Sequence, residues 1–296
     1  MNIIARRNTF FLISGVLLTA SIGAIAVWGL PFGIDFTGGS LIEVSFSGER
    51  PSVESLAERL DPLHLGGVRL QPSGANGLFL RLRHIDEPTH RQILATLGSD
   101  VAERRFDSVG PSIGAELRNR SGIAVILVIV LIVSYIAWTF RTVSRPVASW
   151  KYGVATVAAL VHDVVIPAGL FAAAGRFLGF EVDTLFVVAI LTILGFSVHD
   201  TIVVFDRIRE NLKKAPRYGD FEELVNTSVN QTFGRSINTS LTVVLALAAV
   251  YLLGGASTRV FSLTLIVGII IGTYSSIFIA SPLLVTWHAF SGGRSG

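Results

Sequence analysis

Long apolar runs, nearly free of charged residues, dominate the chain and alternate with polar stretches. Six of them are long enough to cross the roughly 30 Å hydrocarbon core of a bilayer, which takes about 20 helical residues. These runs, called spans 1 to 6, are Thr9–Leu30, Ser121–Phe140, Trp150–Ala174, Thr184–Phe205, Ser236–Leu253 and Val260–Trp287. The pattern predicts a polytopic α-helical membrane protein with six transmembrane helices.

The composition supports a membrane protein. Hydrophobic residues make up 51% of the chain and charged residues 15%, whereas about 25% charged residues is usual in soluble domains. The absence of cysteine excludes disulfides, thiolate metal ligands and a cysteine nucleophile. Span 1 follows Arg6 and Arg7 as a signal peptide would, but its apolar run exceeds the usual 7–15 residues, so we expect an uncleaved anchor.

The basic residues predict the orientation in the membrane. The segments before span 1, between spans 2 and 3, between spans 4 and 5, and after span 6, counted together with Lys151 at the start of span 3, carry twelve basic and five acidic residues. By the positive-inside rule these segments, and with them both termini, are cytoplasmic. Residues 31–120 then lie outside, with ten basic and twelve acidic residues. The basic excess is thus a signal for topology, and nucleic acid is not an expected partner.

The outside segment has the pattern of a small α+β domain. Two helical stretches alternate with four strand-like ones in the order β-α-β-β-α-β, which is typical of a ferredoxin-like fold. The stretches are Ser40–Ser47, Pro51–Leu60, Val68–Gln71, Leu78–Arg83, Glu87–Leu97 and Asp100–Asp107.

The predicted domain organisation follows from the spans. It comprises 1–30 (N-terminus and span 1), 31–120 (the outside domain), 121–290 (spans 2–6 with a cytoplasmic loop at 206–230) and a tail at 291–296, which is native or an expression remnant.

Three ionisable positions lie within or at the edge of the spans. Asp163 follows His162 in span 3, Asp200 follows His199 in span 4, and Arg235 precedes span 5. A carboxylate near the bilayer centre costs at least about 2.5 kcal/mol, so such a group usually faces a partner or a water path. One interpretation is purely structural: an Asp–Arg pair, or hydrogen bonds between helices.

Depth favours a functional interpretation for Asp200. Asp200 and Arg235 are expected at comparable depth and able to pair, so that protonation of Asp200 would release Arg235, as a proton-coupled switch requires. Polar residues around them fit either proton relay or helix packing: Ser197, Thr201, Ser236, Asn238, Thr239, Ser240 and Thr242.

Two further motifs carry weaker signals. His162 and His199 are candidate relay residues, although a hydrogen-bonded helix histidine is the commoner case, and a metal site would need more ligands than the sequence places. Gly33, Asp35, Gly38 and Gly39 form a glycine-rich stretch after span 1. It indicates turns or close backbone approach, and it is weak evidence for phosphate binding because no Lys-Ser/Thr follows.

Several segments resemble the bacterial SecF family, auxiliary subunits of the Sec protein translocase. They are FGIDFTGGS at Phe32–Ser40, VHD in span 3, SVHDTIVVFDRIREN at Ser197–Asn211 and NQTFGRSINTSLT at Asn230–Thr242. The glycine motif is shared with the sister family SecD, whose first periplasmic region is much longer. The resemblance covers the whole chain.

The resemblance implies a fold and a role. The fold would be half of an RND-superfamily transporter, completed by SecD, with a periplasmic domain that packs on the SecD domain. The complex would use the proton motive force to help move unfolded preproteins out of the SecYEG channel, with YajC and YidC as further candidate partners. No enzyme activity and no cofactor is implied.

The resemblance also carries over individual residues. The family's transmembrane carboxylate corresponds to Asp200 and its arginine to Arg235, and Asp163 and Asp206 match further acidic positions. His199 replaces the asparagine that family members often have.

Two other functions stay open. One is a homo-oligomeric RND-like exporter of a small or lipid substrate, and the other is a passive membrane scaffold whose buried charges are structural. An intramembrane hydrolase is disfavoured, because no Ser–His or two-carboxylate catalytic arrangement can be argued at matching depths.

Overall fold

The computed structural model describes residues 1–140, 148–214 and 220–290. The tail predicted at 291–296 and part of the loop predicted at 206–230 lie outside these described residues. The chain forms two compact units, one made of Met1–Pro31 with Ala124–Gly296 and the other of Phe32–Ile123.

The helices and strands alternate as follows in chain order. They are α1 (Arg7–Trp28), α2 (Ile34–Thr37), β1 (Gly39–Phe46), α3 (Val53–Leu60), β2 (Arg69–Ser73), β3 (Gly77–Leu82), α4 (Glu87–Leu97), β4 (Val101–Val109), α5 (Pro111–Thr139), α6 (Ser149–Leu178), α7 (Thr184–Lys214), α8 (Phe221–Leu253), α9 (Ala256–Ser275), a π-helical turn (Ser276–Ala280) and α10 (Ser281–Phe290).

Six helices in the described part of the chain are long and apolar enough to cross a membrane, one at each predicted span. The sixth is formed by α9, the π turn and α10 together. Several helices extend beyond the apolar runs: α5 begins ten residues before Ser121, and α7 continues nine residues beyond Phe205. The flanking residues include Glu, Arg, Lys and Asn, most of which are good helix formers, so hydropathy locates the hydrocarbon layer but not the helix ends.

The membrane helices differ in how much of their surface the chain itself covers. In their most apolar windows, α6 and α7 are each 50% buried and the sixth helix 61%, whereas α1 and α8 are 11% and α5 is 6% buried. The interior of the membrane unit is therefore built by α6, α7 and α9–α10. The outer faces of α1, α5 and α8 are left for lipid or for another protein.

The second unit is a four-stranded antiparallel sheet in the order β2-β3-β1-β4. Together with α3 and α4 this is the β-α-β-β-α-β order predicted from the sequence. The inward side chains of β1 and β3 alternate with half-buried ones and meet the buried leucines and isoleucine of α3 and α4 in one apolar core, as the period of two in a strand demands.

The two helices of this domain begin at polar caps. Ser52 accepts a hydrogen bond from the Ser55 backbone N–H, and Asp86 accepts one from the Thr89 backbone N–H at 3.1 Å. The hydrogen bonds that Thr89 donates from its side chain and backbone lower the pKa of Asp86. Both caps satisfy N–H groups that the first helical turn leaves unpaired.

The glycine-rich stretch before β1 is a site of close backbone approach. Gly38 has φ +75° and Gly39 φ +139°, and a Cβ at Gly38 would lie 2.7 Å from the Cα of Pro111, the first residue of α5. On the α5 side, a Cβ at Gly114 would lie 2.7 Å from the Gly38 nitrogen. The short helix α2 thus passes directly into the sheet beside the start of α5, through a contact that only glycine permits.

We predict that Gly38→Ala destabilises the protein. The left-handed backbone conformation alone costs about 1–3 kcal/mol for a residue with a Cβ, and the clash with Pro111 adds to that cost. Gly110→Ala is the matched control, because a Cβ there meets nothing within 4 Å. Thermal unfolding of the purified chain in detergent measures the difference, and equal midpoints for the two variants would contradict the prediction.

Candidate functional site

Two carboxylates lie in the interior of the membrane unit. Asp163, near the middle of α6, is fully buried, and Asp200 on α7 is 6% exposed. An uncompensated ion in such a place is costly, so the groups that surround each carboxylate determine what the site can do.

Asp163 forms hydrogen bonds with three neighbours. One carboxylate oxygen lies 2.9 Å from His162 Nδ1. The other accepts hydrogen bonds from the Ser197 hydroxyl of α7 and, at 2.6 Å, from the Ser275 hydroxyl of α9. Asp163 therefore joins three helices, and the adjacent His162 is the ionisable group in contact with it.

Asp200 is held by hydroxyl groups. The Ser236 hydroxyl of α8 donates to one carboxylate oxygen at 2.5 Å, and the Ser276 hydroxyl donates to the other. Among the described residues, no lysine, arginine or histidine forms an ion pair with Asp200. This carboxylate lies among neutral donors without a counter-cation.

Neighbouring serines on the sixth helix serve the two carboxylates separately. Successive residues of a helix point about 100° apart, so Ser275 reaches Asp163 while Ser276 reaches Asp200. The π-helical turn begins at Ser276. Such turns occur frequently at functional sites. Here the turn begins directly after Ser275, so its first residue contacts Asp200 and the last residue of α9 contacts Asp163.

A Gly-x-x-x-Gly pattern on α9 lets this helix approach α7. A Cβ at Gly268 would lie 2.1 Å from Ile193, and one at Gly272 would lie 3.0 Å from the Cβ of Ser197. Small residues at this spacing allow membrane helices to pack closely. The close approach places Ser197, Ser275 and Ser276 within reach of the carboxylates.

The predicted pairing of Asp200 with Arg235 is not formed. Arg235 is exposed on α8, and the adjacent residue Ser236 faces Asp200 instead. Because consecutive helical residues diverge by about 100°, Ser236 and Arg235 cannot both point at the same carboxylate. The expected depth agrees with the structure, since Arg235 lies one residue, about 1.5 Å along the axis, from the Ser236 that contacts Asp200.

The remaining predicted site residues divide between interior and surface. His162 is buried in the Asp163 cluster, whereas His199 is exposed on α7. Asp206 is also exposed and lies 3.7 Å from the Arg209 guanidinium. The structure does not bring His199 or Asp206 to the carboxylates, and any role in proton coupling for them stays a prediction.

The predicted polar patch separates in the same way. Ser197, Thr201, Ser236 and Ser240 are buried, whereas Asn238, Thr239 and Thr242 are exposed along α8 with Arg235. Within the three described ranges, no group of three or more His, Cys, Asp or Glu side chains is arranged to hold a metal ion.

The sequence analysis missed the donors of the sixth helix. Ser275 and Ser276 lie inside the apolar run of span 6. Small hydroxyl residues are common where membrane helices pack together, so they did not indicate a site. The signal that was available is the polar stretch Thr273–Ser276 at the middle of that span.

The arrangement has the chemistry of a proton-binding site. An ionised carboxylate accepts hydrogen bonds, a protonated one also donates, and a serine hydroxyl can do either by rotation. A cluster of hydroxyls can therefore satisfy both protonation states of Asp200 without moving the backbone.

Comparisons with known proteins agree with this architecture. Residues 89–289 match the family model "Protein export membrane protein SecD/SecF, C-terminal", and residues 23–49 match the "SecD/SecF GG Motif". The protein translocase subunit SecF of Anaerolinea thermophila is 41% identical over 98% of this chain and 94% of its own length. That of Thermobaculum terrenum is 42% identical over 97% and 94%.

A solved structure shows the same fold. The crystal structure of SecDF from Thermus thermophilus, described as a translocon-associated membrane protein, superposes with a TM-score of 0.85 at 33% identity. The match covers 97% of this chain and 38% of that longer one.

These findings define a class first: a multi-pass membrane protein that corresponds to one part of an RND-like SecDF assembly. The family model spans more than half of the chain, and relatives above 40% identity span nearly all of it. The chain belongs to the SecD/SecF family and, within it, to the SecF protein translocase subunits of Sec export.

We predict that Gly268→Leu disturbs the site by separating α9 from α7. Overpacking a closely packed contact costs about 1–3 kcal/mol, and a Cβ at this position already overlaps Ile193. Gly195→Leu on α7 is the matched control, since a Cβ there meets nothing within 4 Å. Thermal unfolding in detergent should show a lower midpoint for Gly268→Leu alone, and the same loss in both variants would argue against the contact.

Proposed function

We propose that this SecF-family subunit acts with SecD to use the proton motive force for preprotein translocation and release on the periplasmic side. The single observation that carries the proposal is that Asp200, a membrane carboxylate, is held by Ser236 and Ser276 and has no counter-cation among the residues that the structure describes. A structural carboxylate is normally paired, whereas one that exchanges a proton must be satisfied in both states.

Proton binding at Asp200 changes the contacts between helices. Ionised Asp200 accepts from Ser236 of α8 and from Ser276 of the sixth helix, and protonated Asp200 donates to one of them. Each proton thus changes the direction of a hydrogen bond that links α7 to α8 or to the π turn. Asp163 is the second acidic position of the proposed pathway. It accepts a hydrogen bond from Ser275, the neighbour of the Ser276 that contacts Asp200.

The exposed faces of the outer helices are the proposed contact surface for SecD. Arg235, Asn238, Thr239 and Thr242 line the exposed side of α8, and a charged residue at the edge of a span is stabilised by a partner or by reaching the interface. SecYEG, the preprotein, YajC and YidC remain proposed partners at the level of the assembly.

The proposed orientation follows the distribution of basic residues. Both termini and residues 206–230 are cytoplasmic, and residues 31–120 are periplasmic, in the inner membrane of a bacterial cell. In this orientation Asp200 and Arg235 lie toward the cytoplasmic side of the hydrocarbon layer, and protons enter from the periplasm to reach them.

We predict that Asp200→Asn abolishes gradient-dependent export while the subunit still assembles. Asparagine keeps the size and most hydrogen bonds of aspartate but does not exchange a proton at this position. Export of a secretory protein into inverted vesicles, with and without a proton gradient, measures the effect after co-purification with SecD has been verified. We expect export to fall to the level seen without the gradient.

The carboxyl-to-amide exchange Glu58→Gln, at an exposed position of α3, is the matched control and should keep the gradient dependence. Full gradient dependence in Asp200→Asn would mean that Asp200 is structural, as the scaffold interpretation holds. Gradient-driven movement of a small or lipid substrate by the chain without SecD would instead support the exporter.

A further inference from the structure

A hydrogen-bonded chain connects the buried Asp163 to the first membrane helix. His162 Nδ1 lies 2.9 Å from Asp163, and His162 Nε2 lies 3.1 Å from the Ser14 hydroxyl of α1. Ser14 Oγ lies 3.3 Å from the Tyr274 hydroxyl of α9, which donates to the Phe10 carbonyl at 3.1 Å. The chain therefore begins at a carboxylate on α6 and ends on the backbone of α1.

The direction of each hydrogen bond follows from the fixed end of this chain. A carbonyl oxygen only accepts, so the Tyr274 hydroxyl proton points to Phe10. Because that proton is committed, Ser14 must donate to the Tyr274 oxygen. Ser14 has a single proton, so His162 Nε2 must in turn donate to Ser14. One arrangement alone satisfies every contact, and in it Nε2 of His162 carries a proton.

The Nε2 proton determines the charge of the Asp163–His162 pair. If His162 is neutral, its Nδ1 has no proton, and the 2.9 Å contact requires a protonated Asp163 that donates to Nδ1. If Nδ1 is also protonated, His162 is a cation beside an ionised Asp163. In both cases the pair holds one proton more than an aspartate beside a neutral histidine.

We propose that the Asp163–His162 pair is a second proton-carrying site, loaded in this conformation, and that Ser14 and Tyr274 transmit its protonation state to α1. Neither Ser14 nor Tyr274 contacts Asp200, so this role is separate from the Asp200 site. Its part in export rests on the proposed function, whereas the proton and the chain are measurable without export.

The unloading step can be written proton by proton. His162 Nε2 gives its proton to Ser14, Ser14 passes its own to Tyr274, and Tyr274 releases its own to water. One proton leaves the pair: the Nε2–H bond of His162 and the original O–H bonds of Ser14 and Tyr274 break, and new O–H bonds form on Ser14, on Tyr274 and on the accepting water. Afterwards Ser14 donates to Nε2 and Tyr274 donates to Ser14, so the Tyr274 bond to the Phe10 carbonyl is lost. Unloading therefore removes one of the three hydrogen bonds outside the pair and leaves the Tyr274–Ser14 bond as the remaining link of the chain between α9 and α1.

The surroundings of the pair contain few other titratable groups. On α1 the nearest charged residue is Arg7, two turns before Ser14 and ion-paired with Glu222. On α7 they are His199, which is exposed, and Asp200, which is bonded to its own serines. On α9 the nearest is Tyr274, the member of the chain itself. The hydrogen-bonded chain to α1 is therefore the main contact through which the protonation state of the pair affects the rest of the molecule.

Spectroscopy of the full chain, co-purified with SecD in detergent, tests the proton directly. At neutral pH we expect either a protonated-carboxyl infrared band that disappears in Asp163→Asn, or an imidazolium ¹⁵N signal that disappears in His162→Gln. The absence of both signals in the wild-type chain would overturn the proposal. Because neither readout involves Asp200 or export, failure here is distinct from failure of the proposed function.

Variants of the chain test the transmission. Tyr274→Phe and Ser14→Ala each remove the additional hydrogen bond that the chain has when the pair is protonated. In these variants the pair should therefore lose its proton at a lower pH than in the wild type. The expected difference is about half to one pH unit, which corresponds to one hydrogen bond. Ser21→Ala, also buried on α1, and Tyr251→Phe on α8 are the matched controls and should titrate as the wild type. Ser14→Ala is small enough to keep the fold if Tyr274→Phe disturbs packing. Titration of Ser14→Ala at the wild-type midpoint would overturn the role of the chain.

Discussion

The arrangement of the membrane helices depends on satisfying two carboxylates in an apolar interior. Asp163 and Asp200 need hydrogen-bond donors that lipid does not offer, and the donors come from α6, α7, α8 and the sixth helix. Each donor that comes from another helix is a serine, whose side chain is short, so the backbones of these helices must approach closely. The polar network therefore sets how far apart the interior helices can be.

Close packing and polar satisfaction support each other here. The glycines of α9 let it approach α7, and Gly169 of α6 faces Ser21 of α1 in the same manner. Without these small residues the serines would not reach the carboxylates. Without the carboxylates, the same serines would bury their hydroxyl groups beside weaker hydrogen-bond partners. The close packing and the polar contacts of the interior are therefore two aspects of one arrangement.

The periodicity of the sequence was sufficient for the architecture but not for the contacts of the site. Apolar runs predicted the six membrane helices, and alternation predicted the ferredoxin-like strand order, because both patterns follow directly from which faces are buried. The depth argument placed Asp200 and Arg235 at one level correctly. It could not determine the angular position around the helix axis, which turns Ser236 rather than Arg235 toward Asp200. Ser275 and Ser276 carry no periodic signal within an apolar span.

The separation of Asp200 from Arg235 shapes how a proton can be communicated to a partner. Ser236 contacts the carboxylate from one side of α8, while Arg235, the preceding residue, lies on the exposed side. A change in the Asp200–Ser236 bond that rotates or shifts α8 must move Arg235 with it, because both belong to one rigid turn of helix. In the proposed function, α8 thus converts an event in the interior into a displacement of charge on the surface available to SecD. No direct ion pair between the two residues is needed for such coupling.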